Sequence, residues 1–258
     1  MAEGDTIWRA AATLQRRLAG RRCGAARPAV LSRLTGRTLL RVEPVGKHLY
    51  MHFSEGVVLH THMRMTGAWH LYDAGQVRRR AAHLATAELD FGDVQAVLFA
   101  APVCELISEA AVGRGLGLDI LGEQFDAGDV VVRVRASGHR TIAEVLLDQT
   151  VCAGIGNIYR CEGLWHERLD PLTAPTDLDD SGVVRVYGRA RDLMRRAVVA
   201  DGFRSAKAVH GRAGRPCTRC GTLVRAAPLG RRPRTLFWCP SCQLGPGARS
   251  QTAAGSTH

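Results

Sequence analysis

The chain has 258 residues, of which 46% are hydrophobic and 23% charged, the balance of a soluble globular protein with one large domain or two modest ones. Its formal charge of +11 favours a polyanionic partner, because Lys and Arg displace counterions condensed on a phosphate backbone. No apolar run approaches the ~20 residues of a membrane helix, and the acidic opening Met1-Ala2-Glu3-Gly4-Asp5 is not a secretion signal, so a cytoplasmic protein with no membrane partner is expected.

In chain order, the first predicted element is a helix over residues 5–18. Ile7, Ala11, Leu14 and Leu18 share one face, Asp5 or Thr6 can cap it, and Gly20 ends it. From about residue 38 to 106 the texture changes to short segments rich in β-formers: 39–42, 48–53, 57–61, 68–72, 85–91 and 94–99. Turn signals such as Ser54-Glu55-Gly56, Asp73-Ala74-Gly75 and Gly92-Asp93 separate them, which predicts an antiparallel sandwich. A connector with Gly113, Gly115, Gly117 and Gly122 follows. Helices are then predicted over 129–136, from a capping-box start at Thr141-x-x-Glu144, from Asn157 toward His166, and over 183–200 up to Gly202. The expected organisation is a sandwich domain (1–107), a linker (108–125), a helical domain (126–206), a cysteine-bearing hairpin (207–243) and a disordered tail (244–258). The fold class is therefore α+β.

Cys217-x2-Cys220-x18-Cys239-x2-Cys242 has the spacing of a four-thiolate zinc site, with the insert suited to a two-stranded hairpin between the knuckles. One structural zinc ion is expected. Arg225, Arg231, Arg232 and Arg234 on the hairpin suit a phosphate backbone. Only two lysines, Lys47 and Lys207, stand against thirty-three arginines, so a lysine retained here points to a need for a compact ammonium. The turn Gly154-Ile155-Gly156-Asn157 lies between two helical segments. Its glycines permit a close backbone approach, and Asn157 opens a helix whose N-terminus attracts anions.

Taken together these segments resemble the Fpg/Nei family of DNA glycosylases, and its endonuclease VIII branch in particular. Met1-Ala2-Glu3-Gly4-Asp5 is similar to the family's opening. Gly46-Lys47 is similar to its lysine-bearing turn, and His62-Met63-Arg64-Met65-Thr66-Gly67 to its His-x-x-Met-Ser-Gly segment. Leu147-Asp148-Gln149 through Gly156-Asn157-Ile158-Tyr159 resembles its helix–two-turn–helix, and His210 through Gln243 its zinc finger. The resemblance implies an N-terminal antiparallel β-sandwich behind an N-terminal helix, then a helix–two-turn–helix domain with a four-cysteine zinc-finger hairpin. DNA would lie in the cleft between them. It also implies a bacterial, nucleoid-associated, monomeric enzyme that removes oxidised bases and cuts the abasic site by Schiff-base β/δ elimination.

By the same resemblance, residue 2 supplies the nucleophile once Met1 is removed. An α-amino group suits this, since its pKa of ~7.7–8 lies about 2.5 units below that of lysine. Here residue 2 is Ala where most members have Pro, so the amine is primary. The alternative is a lesion-binding protein of the same fold with weak or absent catalysis. Glu3 is implied as general acid/base and Lys47 as the second amine. His62, Asn157 and Arg234, with Arg232 as an alternative, are implied as phosphate contacts. Met65 is implied as the wedge that replaces an everted base, against its reading as a core methionine. Residues 99–105 lack the Arg-x-Phe pair of purine-directed members, which favours oxidised pyrimidines. The partner is damaged duplex DNA, and the arginine-rich hairpin equally suits single-stranded or forked DNA.

Overall fold

The computed structural model describes residues 2–200 and 207–244, divided after Gly115 into two compact units. The first opens with α1 (Gly4–Leu18). Ile7, Ala11, Leu14 and Leu18 recur at helical spacing and are buried, as the sequence predicts. Nine segments follow: β1 (Ala25–Arg27), a 3-10 turn (Ala29–Leu34), β2 (Leu39–Val45), β3 (His48–Phe53), β4 (Val57–His62), β5 (Ala68–Asp73), β6 (Ala85–Asp90), β7 (Val94–Phe99) and β8 (Val103–Ser108). They form two four-stranded antiparallel sheets, ordered β2-β3-β4-β8 and β1-β6-β7-β5.

The core of this unit follows from the period of two along each strand. Leu49, Met51 and Phe53 of β3 meet Ala96 and Leu98 of β7 and the buried face of α1 in one apolar cluster. His48, Tyr50 and His52 alternate with those core residues and so stand on the opposite face of the first sheet.

The second unit contains β9 (Leu118–Asp119), α2 (Ala127–Ala136), α3 (Ile142–Val145), β10 (Cys152–Ala153), α4 (Asn157–His166), α5 (Asp180–Val199) and the hairpin β11 (Arg225–Leu229) and β12 (Arg234–Trp238). Side chains of Asp126, Thr141 and Asp179 accept hydrogen bonds from first-turn amides of α2, α3 and α5. α3 is only one turn long, and a tight path through residues 146–156 joins it to α4.

Four strands were not predicted. β1 is Ala-Ala-Arg, with no β-former, and is held by pairing to β6. β8 is half-buried except at the exposed Glu105 and Ser108, and lies under a stretch read only for its chemistry. β9 and β10 are two residues each and pair in parallel, a long-range contact without local signature. The 108–125 segment is ordered from both sides: Gly113 N–H donates to the Tyr50 hydroxyl at 3.3 Å, and Ile120 N–H donates to the Ala153 carbonyl at 3.0 Å. The expected helix stop at Gly202 and the tail over 245–258 lie outside the described residues.

At Gly117 a Cβ would lie 2.4 Å from the Val151 carbonyl oxygen and 2.5 Å from that of Thr150, both backbone atoms that cannot yield alone. Gly117→Ala is therefore expected to lower unfolding free energy by about 2–4 kcal/mol. Urea denaturation checks this, and a wild-type midpoint would show that the β9–β10 junction is more plastic than its packing.

Candidate active site and metal centre

In the first unit the predicted residues gather at one end of the β2-β3-β4-β8 sheet. Glu3 is extended, fully buried, and opens α1 by accepting from the Thr6 and Ile7 amides through its carbonyl. The Ala2 nitrogen donates to the Arg64 carbonyl at 3.3 Å, so the head of the chain sits against the turn that follows β4. Lys47 occupies the β2–β3 turn, and its charge is felt at both His48 and His62. His62 ends β4. Its Nδ1 accepts from the Arg64 amide at 3.0 Å, which leaves the proton of the neutral ring on Nε2 as a donor. Burial, then the Arg64 and Lys47 charges, pull its pKa down to about 4.

Met65 is 56% exposed, not a core residue, whereas its neighbour Met63 is buried. The turn that presents it is clamped. Thr66 Oγ1 donates to the Ala100 carbonyl at 3.0 Å and the Gly67 amide to that of Met63 at 2.8 Å. A Cβ on Gly67 would stand 2.6 Å from the Met63 oxygen, so only glycine closes this turn unstrained. Arg64 and Ala100 adopt positive φ values of 45° and 48°, strained for residues with a Cβ.

Four histidines line the sheet face opposite the core. His48 Nδ1 lies 2.8 Å from His60 Nε2, and His60 Nδ1 lies 2.9 Å from Glu105 Oε1. His52 sits between Glu109 at 2.9 Å and Glu43 at 2.8 Å. The His48 ring meets that of His62 edge-on at 4.6 Å, and burial ahead of the charges around it lowers its pKa to about 3. Sequence reasoning singled out only His62. The spacing His48-x3-His52 in one predicted strand and His60-x-His62 at the end of the next was the available signal, since alternate residues share a face.

In the second unit α4 is buried along almost its whole length and carries a polar ladder. Asn157 Nδ2 donates to the Thr235 carbonyl at 2.8 Å, and its Oδ1 accepts from Arg160 Nη2 at 2.5 Å. Arg160, fully buried, also donates to the Arg234 carbonyl at 3.3 Å. The Glu162 carboxylate accepts from three successive amides, Ala208, Val209 and His210, at 2.9, 3.1 and 2.8 Å. Asn157 thus ties α4 to β12. The side chain of Arg234 is exposed at the first position of β12, and Arg232 is exposed in the turn before it. Arg160 and Glu162 had no sequence signal, since a charged residue in a helix usually reads as solvated.

The Sγ atoms of Cys217, Cys220, Cys239 and Cys242 all lie within 4.8 Å of one another. The short contacts run between the two knuckles: 3.9 Å from Cys217 to Cys242 and 3.5 Å from Cys220 to Cys239. These are far beyond a disulfide bond. They match the edges of a tetrahedral thiolate cage, about 3.8 Å for metal–sulfur bonds near 2.3 Å. Trp165 Nε1 donates to Cys217 Sγ at 3.4 Å, and the Arg219 guanidinium stacks 3.9 Å over the Trp165 ring, joining the cage to α4.

A helix-headed β-sandwich and a helical unit ending in a four-cysteine hairpin form the Fpg-like fold. The formamidopyrimidine-DNA glycosylase of Lactococcus lactis, solved bound to DNA containing an abasic site, superposes with a TM-score of 0.81 at 24% identity, over 94% of this chain and 99% of that one. Residues 1–102 match the formamidopyrimidine-DNA glycosylase N-terminal domain and residues 116–208 its H2TH domain, and the chain belongs to this family. Its similarity is to the endonuclease 8 branch. A probable endonuclease 8 2 of Streptomyces coelicolor is 38% identical over 96% of both chains. The DNA-(apurinic or apyrimidinic site) lyase Nei2 of Mycolicibacterium smegmatis is 33% identical over 94% of this chain and 99% of its own.

The buried histidines couple stability to pH. Unfolded histidines titrate near 6.5, whereas His48 and His62 do so at about 3 and 4 when folded. Between those values the unfolded chain binds more protons, so stability is full above about pH 6.5 and falls as pH drops toward 4. Urea midpoints are expected to decline from pH 7 to 4.5 and to decline less in His48→Asn. His70 and His166, also lowered by burial, keep part of the slope in that variant. Identical slopes would remove His48 from the account.

Proposed function

We propose that this chain is a bifunctional DNA glycosylase and abasic-site lyase of base excision repair, acting on oxidised bases and on pyrimidines foremost. The observation that carries the reading is the head of the chain. In a family member matched from residue 1, the Ala2 nitrogen abuts the turn beyond His62, and Glu3 is buried beside it.

The chemistry runs from Ala2. Loss of Met1 leaves an α-amine that is partly unprotonated near neutral pH and attacks C1′ of the damaged nucleotide. The C1′–N bond to the base breaks and its electron pair leaves with the base; the C1′–O4′ bond then opens, O4′ taking a proton from Glu3, and the amine nitrogen's lone pair closes the C1′ imine. Once protonated, the imine draws electrons from C2′ and expels the 3′ phosphate. Ala2 gives a primary amine, whose imine carries positive charge only when protonated. This makes Glu3 the more important, because it supplies and removes protons at that centre. Lys47 holds the phosphate beside the lesion, and the His62 Nε2–H adds a neutral donor. Met65 fills the place of the everted base, where its exposure and clamped turn suit it. Asn157 contributes the positive end of α4, and Arg234, with Arg232 beside it, grips backbone phosphate from the hairpin. The three-residue turn 100–102 between β7 and β8 has no Arg-x-Phe pair, which supports a pyrimidine over a purine preference.

The metal is zinc, one ion per chain, with a structural role. The purified protein is expected to hold about one zinc equivalent by elemental analysis. Cys239→Ser should lose it and melt at lower temperature. Full zinc content in that variant would remove the hairpin cysteines as its ligands.

Incubation with thymine-glycol and abasic DNA under borohydride is expected to give a covalent adduct that mass spectrometry places on Ala2. Lys47→Ala should cut the strand at least about tenfold more slowly. Substrate that is bound but neither trapped nor cut would favour the second reading, a lesion-binding protein, which the Ala at position 2 supports.

A further inference from the structure

The histidine face contains a connected chain of groups that the reaction above does not use. His60 on β4 pairs directly across the ladder with Glu105 on β8, and Tyr50 on β3 stacks on the His60 ring at 4.8 Å and 16°. Glu105 is 57% exposed, while His60 is nearly covered. The hydrogen bonds fix the tautomers. A carboxylate at His60 Nδ1 places the proton on that nitrogen, so His60 Nε2 is an acceptor and the bond from His48 must be donated by Nδ1. His48 Nε2 is then left with its lone pair, on the residue next to Lys47 and against the edge of His62.

We propose that His48, His60 and Glu105 form a proton relay between solvent and the Lys47–His62 end of the sheet. It rests on the lyase reading. In β-elimination the C2′–H bond breaks, its electron pair forms the C2′–C3′ double bond, and the C3′–O pair leaves with the phosphate. The C2′ proton must depart from the reacting sugar to an acceptor. A proton taken at His48 Nε2 is balanced by transfer of the Nδ1 proton of His48 to His60 Nε2. The Nδ1 proton of His60 passes to Glu105, which releases it to water. One proton moves outward with no change of oxidation state, and the first tautomers return when a proton passes inward along the same path and is handed from His48 Nε2 to the amine nitrogen as the imine is hydrolysed.

The surroundings favour hopping over storage of charge. Lys47 on the turn and His60 and His62 on β4 bear on His48, Arg64 bears on His62, and Glu105 on β8 and Glu43 on β2 bear on Tyr50, whose ring stacks with that of His48. Cations dominate at its end and the carboxylate stands at the other. A persistent imidazolium is therefore disfavoured at His48, while a proton is drawn toward Glu105. A merely structural cover for this face would be met by apolar side chains such as the neighbouring Val58 and Ile107, without three rings to desolvate.

The test compares wild type with Glu105→Gln, at an exposed position where the amide keeps the shape but cannot take a proton, and with His60→Phe, which keeps the ring stack. Single-turnover cleavage of abasic DNA is expected to fall roughly 10- to 100-fold in each. The pH–rate profile should shift, and added imidazole should partly restore a His60→Ala variant, whose vacated ring site can take it. Binding to a non-cleavable tetrahydrofuran analogue should stay within about twofold of wild type, and Glu105→Asp should recover most of the rate. Wild-type rates and an unshifted profile in Glu105→Gln would overturn the relay, as would equal losses of binding and cleavage. A wild type that does not cleave at all would overturn the lyase reading beneath it.

Discussion

The second unit depends on one buried carboxylate. Glu162 takes three consecutive backbone amides at the point where the chain enters the cysteine hairpin. A charge this deeply buried is tolerated only with such saturation, and removal of the acceptor would strand three donors away from water. The hairpin has little core of its own, with only a few buried apolar residues such as Val224 and Leu236. Its position is therefore set by polar contacts to α4 and the segment after it: Glu162 at the entry, Asn157 and Arg160 at β12, Trp165 at the thiolate cage, and at the exit Gln243, which bridges the Cys239 amide and the carbonyl of Leu169 beyond α4. One helix thus fixes both the backbone of Arg234 and the cage, so the arginines act from a rigid mount.

The first unit solves a different problem with the same economy of elements. One sheet must complete an apolar core and also present ionisable chemistry, and the two demands are met by its two faces. Leu49, Met51 and Phe53 serve the first, while His48, Tyr50 and His52 serve the second. Strand alternation means that a residue of register slip would place histidines in the core, so the packing that stabilises the sandwich also aligns the titratable face. Lys47 and His62 fall at the same end because β3 and β4 pair with Leu49 opposite Thr61.

Much of this was legible in the residues. The amphipathic period of 5–18, the strand–turn alternation from 39 to 99 and the cysteine spacing each correspond to an observed element, because each rests on short-range physics: a helical face, a pleat, a knuckle. What escaped was long-range. β1 exists only through its partner, and α4's burial makes ligands of Arg160 and Glu162 that would be solvated on a surface helix. Asn157, for which the resemblance implies a phosphate contact, also has both ends of its amide engaged within the protein, a second role with no local signature. No local pattern distinguishes an asparagine that faces a ligand from one that staples two elements. Met65 is a different case: its hydrophobicity alone allows a core reading, the resemblance implies a wedge, and the turn clamped by Thr66 and Gly67 leaves it exposed.

Several departures from ordinary preference meet where the chemistry is proposed, although others, such as the positive φ of Glu55 and Arg168 and the enclosed Gly117, lie elsewhere. Around Met65 a large apolar side chain faces water, two residues with a Cβ hold positive φ, and a glycine is enclosed by backbone. Each of these costs stability, of order 1–3 kcal/mol for a strained backbone position, and none helps the sandwich to pack. Beside them, burial and nearby cations keep two histidines neutral well below their ordinary range. A scaffold tuned for stability alone would replace the exposed methionine with a polar residue and relax the turn. At one end of one sheet, next to the buried Glu3 and Lys47, these features have no packing role, and the proposed reaction is what gives them a role.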